Sequence, residues 1–371
     1  MKKYLFSIII AVLILNQKIA RVEIPIPEHD LSNRIHTLIS MKKAVTIDSF
    51  FTSRFHHKLF NGTVLVAEKG RILYEKSFGY ANFKSKDSLR LNSIFQLASV
   101  SKPLTSCAIL MLYEQGLLQL DDDLQKYFPD FPYEGVTIRM LLTHRSGLPD
   151  YMYFSHYLWK DKSIPLTNQD VLDLMIFYKP GRYYLPDRRY NYSNTNYCLL
   201  ALIIEKVSGK SYAQFMKEHI FQPLGMRDTY VLDYNDLAQP DLDQLAIGYD
   251  RFQRPAENSY LNGVVGDKGI FSTVEDLFRW DQALYHGELI SPATLEKAFE
   301  PAHRDLRDND NYGFGWRINA NHGNKIIYHS GWWKGYKTYF IRKIEEKKTI
   351  IILTNTAMHH FLNIKKLSEL I

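Results

Sequence analysis

The chain has 371 residues, is 46% hydrophobic and 23% charged, and carries a formal charge of +6. That composition is ordinary for a globular protein, and the length suffices to bury a large core without staples, which excludes a disordered chain or a disulfide-held mini-protein. The positive charge is spread from Lys2 and Lys3 to Arg342, Lys343, Lys347 and Lys348, with no basic block interleaved with aromatics, so nucleic acid is not an expected partner.

In chain order, Lys2 and Lys3 first precede an apolar run from Tyr4 to Leu15. The run suits a signal-peptide core and is short for a membrane span. Ala20 suits the last position before a cut, whereas Lys18 is a poor residue two places earlier. Residues 1–20 are therefore expected to be a signal peptide or an uncleaved anchor, and the only contact with a membrane. Either reading exports the protein to a periplasmic or extracellular compartment. No cysteine lies near residue 20, which removes a lipoprotein anchor.

Residues 63–77 read as a hairpin, with Thr63–Ala67 and Ile72–Lys76 flanking the turn Glu68-Lys69-Gly70-Arg71. Helices are predicted over 99–118, 137–142, 168–178, 197–208 and 212–221, punctuated by Pro180-Gly181 and Pro223-Leu224-Gly225. Strands are predicted over 325–329, 336–341 and 349–354, and a final helix begins near His360. Strands at both ends with helices between them predict an α/β (α+β) fold: one antiparallel sheet flanked by helices and built from both chain ends. The expected organisation is a single catalytic domain, with a sheet-containing region at 30–95 and 255–371 and a mostly helical insertion at 96–254.

Three short motifs carry chemistry. In Ser99-Val100-Ser101-Lys102, serine and lysine stand three residues apart at the start of a helix, so both side chains share one face. A serine becomes a nucleophile when a base takes its proton, and a lysine serves once burial or cationic neighbours lower its pKa. The helix N-terminus also favours developing negative charge. Ser40-Met41-Lys42-Lys43 has the same spacing but lacks the apolar helix that follows Ser99, and reads as solvated surface.

The second motif is Tyr192-Ser193-Asn194. A phenol beside a lysine ammonium is expected to lose its proton more easily and relay protons, while the amide orients the lysine and binds a substrate carbonyl. Tyr260-Leu261-Asn262 matches the same pattern, so the motif alone does not single out Tyr192. The third is His329-Ser330-Gly331, which ends a strand and is followed by Trp332 and Trp333. A strand edge there can supply an N–H to an oxyanion, and glycine lets a substrate backbone come close.

No His, Cys and carboxylate cluster has metal-ligand spacing, and no metal or cofactor is expected. Cys107 and Cys198 fall in apolar helical runs and read as buried small hydrophobes.

The three motifs come in the order Ser/Lys, Tyr/Asn, His/Gly, and in this the chain resembles the serine β-lactamase and penicillin-binding-protein superfamily. It is most similar to the class C β-lactamase-like branch, which also holds D-Ala-D-Ala carboxypeptidases and esterases. Further segments carry the resemblance: Thr137–Pro149, Tyr192–Tyr197, Pro223–Met226, Gly269–Thr273 with Asp276-Leu277, and Tyr312–Trp316. It covers the chain from about Gly62 to Asn355. The resemblance implies Ser99 as nucleophile, Lys102 as its partner, Tyr192 as base or relay, and Asn194, His329, Ser330, Gly331 and Trp332 as substrate-binding residues. The Ser99 and Trp332 N–H groups would form the oxyanion hole.

The activity so implied is hydrolysis of a peptide, amide or ester through an acyl-Ser99 intermediate. The expected partner is a small-molecule or peptide substrate, with a peptidoglycan stem peptide as one candidate. Histidine where class C lactamases carry lysine weakens the case for an efficient β-lactamase, because it is mostly neutral near pH 7. Glu257–Asn262 is one residue too long to match the deacylating segment of class A lactamases. Trp332 and Trp333 are expected at the rim of the site.

Overall fold

A computed structural model describes residues 28–232, 244–302, 310–319, 325–357 and 362–369. The expected signal peptide or anchor, residues 1–20, lies outside the described residues. The chain divides into two compact units, Met1–Lys43 and Ala44–Ile371. Of the first, only a helical stretch is described, the beginning of α1 (Glu28–His56). The second unit holds everything that follows.

Its centre is a seven-stranded sheet. The hairpin β1 (Gly62–Glu68) and β2 (Arg71–Phe78) forms as the alternating sequence predicts, with Lys69 and Gly70 both at positive φ in the turn. A two-stranded ribbon follows, β3 (Tyr80–Asn82) with β4 (Asp87–Ser88). A separate three-stranded sheet joins β5 (Phe95–Gln96), β6 (Tyr230–Val231) and β7 (Ile270–Ser272), with β7 central. The C-terminal part supplies β8 (Asp310–Tyr312), β9 (Arg317–Asn319), β10 (Ile326–Trp333), β11 (Tyr336–Lys343) and β12 (Lys348–Thr354).

The order of the large sheet is β2-β1-β12-β11-β10-β9-β8, antiparallel throughout. The two chain ends meet where β1 pairs β12, in register from Gly62 opposite Thr354 to Glu68 opposite Lys348. Both faces of the central strands are buried. Leu65, Phe340, Ile351 and Leu353 join the larger core, whereas Val64, Val66, Ile341, Ile350 and Ile352 pack with Ile47 and Phe51 of α1. Alternate residues of one strand thus feed two cores, which is why these strands read as continuous apolar runs.

The larger core contains the helices. α2 (Ser101–Glu114) is buried from Ser101 to Leu112, its polar Ser101, Lys102, Thr105 and Ser106 included. Around it lie α3 (Ile138–Leu142), α4 (Tyr151–Leu158), α5 (Asn168–Tyr178), α6 (Asn194–Ser208) and α7 (Tyr212–Met216). α8 (Val274–His286), α9 (Pro292–Ala298) and α10 (Ile364–Ser368) complete the set. Cys107 and Cys198 are free and buried, in agreement with their apolar surroundings. Among the described residues, no helix is long and apolar enough to cross a membrane.

Candidate active site

Ser99 sits in a short 3-10 turn, Ala98–Val100, immediately ahead of α2. Two anchors hold this turn. Leu97 N–H donates to the Ile270 carbonyl of β7 at 2.8 Å, and Thr338 Oγ1 of β11 donates to the Leu97 carbonyl at 2.6 Å. Ala98 adopts φ +50°, a left-handed conformation uncommon for a residue with a Cβ, and it aims the next side chain out of the turn.

Lys102 follows one turn later and is fully buried. Its Nζ lies 3.1 Å from Ser99 Oγ, 2.9 Å from Asn194 Oδ1 and 2.9 Å from the Asp267 carbonyl oxygen. Asn194 Oδ1 and the Asp267 carbonyl can only accept. A neutral amine spends its two N–H groups on them and turns its lone pair to the Ser99 hydroxyl. Burial lowers the Lys102 pKa from 10.5 to about 8, helped by the Arg317 charge and opposed by Asp267 and Asp150. The neutral amine is therefore accessible near neutral pH.

Tyr192 donates to Ser99 Oγ at 3.0 Å, and its ring stands 4.9 Å from Lys102 Nζ. Here the structure reverses an expectation. Burial raises the phenol pKa above its usual value, outweighing the nearby Arg317 charge and the hydrogen bond to Ser99. Tyr192 rests protonated, as a hydrogen-bond donor to Ser99, and not as a phenolate.

Asp150 builds the start of α6. Its carboxylate accepts the Asn194 N–H at 2.8 Å, Asn194 Nδ2 at 3.0 Å and the Met152 N–H at 2.9 Å, so one side chain caps α4 and α6 together. Asn194 Nδ2 also approaches Met152 Sδ at 3.5 Å. With its amide committed to Lys102 and Asp150, Asn194 orients the lysine here and offers no free N–H to a substrate carbonyl.

His144 supplies the second anchor of this segment. Its Nδ1 accepts the Ser193 N–H at 3.2 Å, and its ring packs 4.2 Å from that of Tyr192. Burial and the Lys102 charge hold its pKa well below the usual histidine value, which keeps the ring neutral and Nδ1 free to accept.

The third motif lies on β10. Pairing with β9 ends at Tyr328, so residues 329–333 form a strand edge beside the Ser99 turn. Gly331 is required there: a Cβ would fall 2.3 Å from Thr338 Oγ1, 2.5 Å from the Leu97 carbonyl and 3.0 Å from Ala98 Cβ.

His329 departs from its expected place at the substrate. Its buried ring donates from Nδ1 to the Ser330 carbonyl at 2.8 Å and accepts from the Tyr312 hydroxyl at Nε2, 3.0 Å away. Burial, with Arg317 and Lys102 nearby, lowers its pKa well below the usual value. It is a neutral, internally bonded side chain with no free group for a ligand. Trp332 is 60% exposed. Trp333 instead donates through Nε1 to Asn262 Oδ1 at 2.7 Å.

The structure thus brings Ser99, Lys102, Tyr192 and Asn194 into one bonded cluster, with Ser330, Gly331 and Trp332 on the adjoining edge. It adds residues that the motifs did not identify as parts of the site: Asp150, Asp267, Arg317, Tyr312 and His144. The only signal for them was that His144, Asp150 and Tyr312 lie in or beside the longer segments of resemblance. Arg317 of β9 stands 5.5 Å from the Tyr192 ring and brings a fixed positive charge to the site. Glu257 is exposed, which agrees with reading the 257–262 segment as a chance match. Among the described residues, no group of three His, Cys, Asp or Glu side chains could hold a metal ion.

Comparison with known proteins identifies the family. The family described as Beta-lactamase matches residues 47–364. Penicillin-binding protein 4* of Bacillus subtilis is 43% identical over 331 residues, covering 85% of this chain and 73% of that protein. Among solved structures, the octameric penicillin-binding protein homologue from Pyrococcus abyssi superposes with a TM-score of 0.72 at 28% identity, over 84% of this chain and 73% of that one. The penicillin binding protein from Bacillus halodurans gives 0.70 at 27% identity, over 82% and 94%. A match of this extent places the chain in the β-lactamase family, among the serine hydrolases of the β-lactamase and penicillin-binding-protein superfamily.

Proposed function

We propose that the protein is an exported hydrolase that acts through an acyl-Ser99 intermediate on peptides, amides or esters of the D-alanyl stem-peptide kind, and that penicillins acylate the same serine. The observation that carries this reading is the disposition of Lys102. Two obligate acceptors take its N–H groups while Ser99 Oγ stands at 3.1 Å, the arrangement of a lysine acting as base. Lys2, Lys3 and the apolar run that follows support export. The name of the 43% identical relative supports reactivity toward penicillins.

In the forward step, Lys102 Nζ takes the Ser99 proton as Oγ forms a bond to the substrate carbonyl carbon. The carbonyl becomes an oxyanion, met by the Ser99 and Trp332 N–H groups. The carbon–leaving-group bond then breaks, and the leaving group takes a proton through Tyr192, which is resupplied from Lys102. Water attacks the ester by the reverse route, returning the proton to Ser99.

The test is the intact-protein mass after brief exposure to a penicillin, for wild type and Ser99→Ala, followed over time. An adduct in wild type alone, decaying over many minutes, is the expected result. An adduct that also forms on Ser99→Ala overturns the assignment of the nucleophile. No adduct, with ester turnover that Ser99→Ala abolishes, overturns the stem-peptide assignment and leaves an esterase.

A further inference from the structure

A second lysine is buried beside the first. Lys268, on the loop that leads into β7, places Nζ 2.6 Å from the Tyr151 hydroxyl, 3.0 Å from the Val264 carbonyl oxygen and 3.6 Å from the Asp267 carboxylate. Tyr151 in turn donates to Asp267 Oδ2 at 3.0 Å. The backbone carbonyl of Asp267 accepts from Lys102. One residue therefore touches both lysines, Lys102 through its carbonyl and Lys268 through its carboxylate.

The charges facing Lys102 come from every element around it. Asp150 stands at the start of α4, Asp267 and Lys268 on the loop before β7, and Arg317 on β9. Tyr192, Asn194 and Tyr197 face it from α6 and the residues before it. His144 and His329 complete the set, and burial keeps both neutral. Two carboxylates and two cations cancel. The buried set is then electroneutral when Lys102 carries no proton, and an unmatched charge in so dry a place is costly.

We propose that Lys268 is a positioning residue for acyl transfer: paired with Asp267 and Tyr151, its ammonium cancels the Asp267 carboxylate, so that Lys102 is the lysine that gives up its proton. The proposal rests on the acyl-Ser99 reading above. Burial lowers the pKa of both lysines, and of the two only Lys268 has a described carboxylate within ion-pair reach. Without Lys268, the Asp267 charge would act on Lys102 alone and hold its proton on. Without the Asp267 carboxylate, the Lys268 charge would expel that proton sooner.

The experiment is the pH profile of kcat/KM on a chromogenic acyl ester for wild type, Lys268→Met, Asp267→Asn and the double variant. Lys268→Met is expected to move the acid limb up by about one pH unit, a tenfold loss at a fixed pH below the limb. Asp267→Asn is expected to move it down, and the double variant to return it near the wild-type position. Coincident limbs in all four proteins, or single variants that move the same way, overturn the proposal. If Lys268→Met does not fold, the direction of the Asp267→Asn shift decides alone. NMR titration of 13C-labelled lysine, with the Lys102 signal assigned by Lys102→Arg, reads the same coupling without turnover. A Lys102 titration that moves as described in a protein that never acylates Ser99 would overturn the acyl-Ser99 reading and leave the charge coupling standing. A titration that does not move, in a protein that does acylate, would overturn only the proposal.

Discussion

A lysine with no water around it must either be paired or lose its proton, and Lys102 has only uncharged acceptors in contact. The folded protein holds its pKa near 8 against an ordinary value of 10.5. Between those values the unfolded chain binds more protons, so wild-type stability rises with pH across that window, and below it the folded state bears the full penalty. The shift corresponds to about 3 kcal/mol. Lys102→Met is therefore expected to stabilise the protein at pH 7 by up to that amount, with the gain fading as pH rises toward 10; denaturant unfolding at both pH values checks it. The same substitution is expected to abolish acylation by penicillin. In wild type, kcat/KM is expected to rise with pH and level off above about 8, because the neutral amine is the active form; a profile flat from pH 6 to 9 would contradict a lysine base. Ser99 and Lys102 were legible in the sequence because they share a short motif at an element boundary, whereas Tyr192 was singled out only by the order of the three motifs, since its own pattern recurs at Tyr260-Leu261-Asn262. The protonation of Tyr192, the closed bonding of His329 and the hold of Asp150 on the Asn194 amide were not legible, because each depends on burial and on partners far away in the chain.

At the scale of elements, the site depends on how closely β10 approaches the nucleophile turn. Gly331 faces the Leu97 carbonyl and Ala98 with no room for a Cβ, and Thr338 ties the same carbonyl to β11. Gly331→Ala is expected to push the Ser99 turn away from the strand edge by a fraction of an ångström or more. A displacement of that order costs roughly a hundredfold in rate, so penicillin acylation of Gly331→Ala should slow by about that factor while far-UV circular dichroism stays unchanged. The elements themselves were read unevenly. The helix predicted over 168–178 is observed with those limits, because Thr167 and Asp170 form a capping box at its start. α6 was expected from Tyr197 but begins at Asn194, since its first N–H groups are met by His144 and Asp150, more than 40 residues away. The helix predicted over 212–221 is α-helical only to Met216 and continues as a π turn through Phe221. α1 was not anticipated: among its described residues only Ile47 and Phe51 are buried and apolar, and a single four-residue spacing is too little to show a period. The three-residue strands β8 and β9 are too short to show a period, and β9 carries Arg317 into the site unannounced.

At the scale of the whole catalytic unit, the sheet joins strands that lie nearly 300 residues apart in sequence, and the alternation of the flanking strands made that closure legible. What fixes the helical layer to the sheet was not legible. Asp281 of α8 and Arg342 of β11 are both fully buried, with Arg342 Nε 2.6 Å from Asp281 Oδ1 and Thr349 Oγ1 of β12 2.8 Å from Oδ2. Burial alone would raise the Asp281 pKa, and the Arg342 guanidinium works against that. Such a pair is weak evidence for net stability, because removing two charges from water costs about as much as their attraction returns. Removing one partner is different, since it strands the other charge in the core. Arg342→Met is therefore expected to destabilise by about 3–5 kcal/mol, read as a lowered urea midpoint with an unchanged slope. Adding Asp281→Leu should recover most of that loss, because the carboxylate that Arg342 left unmatched is then gone. If the double variant is as unstable as the single one, the loss comes from packing of the guanidinium against Tyr285, 4.3 Å from its ring centroid, and not from charge. Since neither residue touches the Ser99 cluster, penicillin acylation by the folded fraction of both variants should match wild type, which separates the joint between layers from the chemistry it supports.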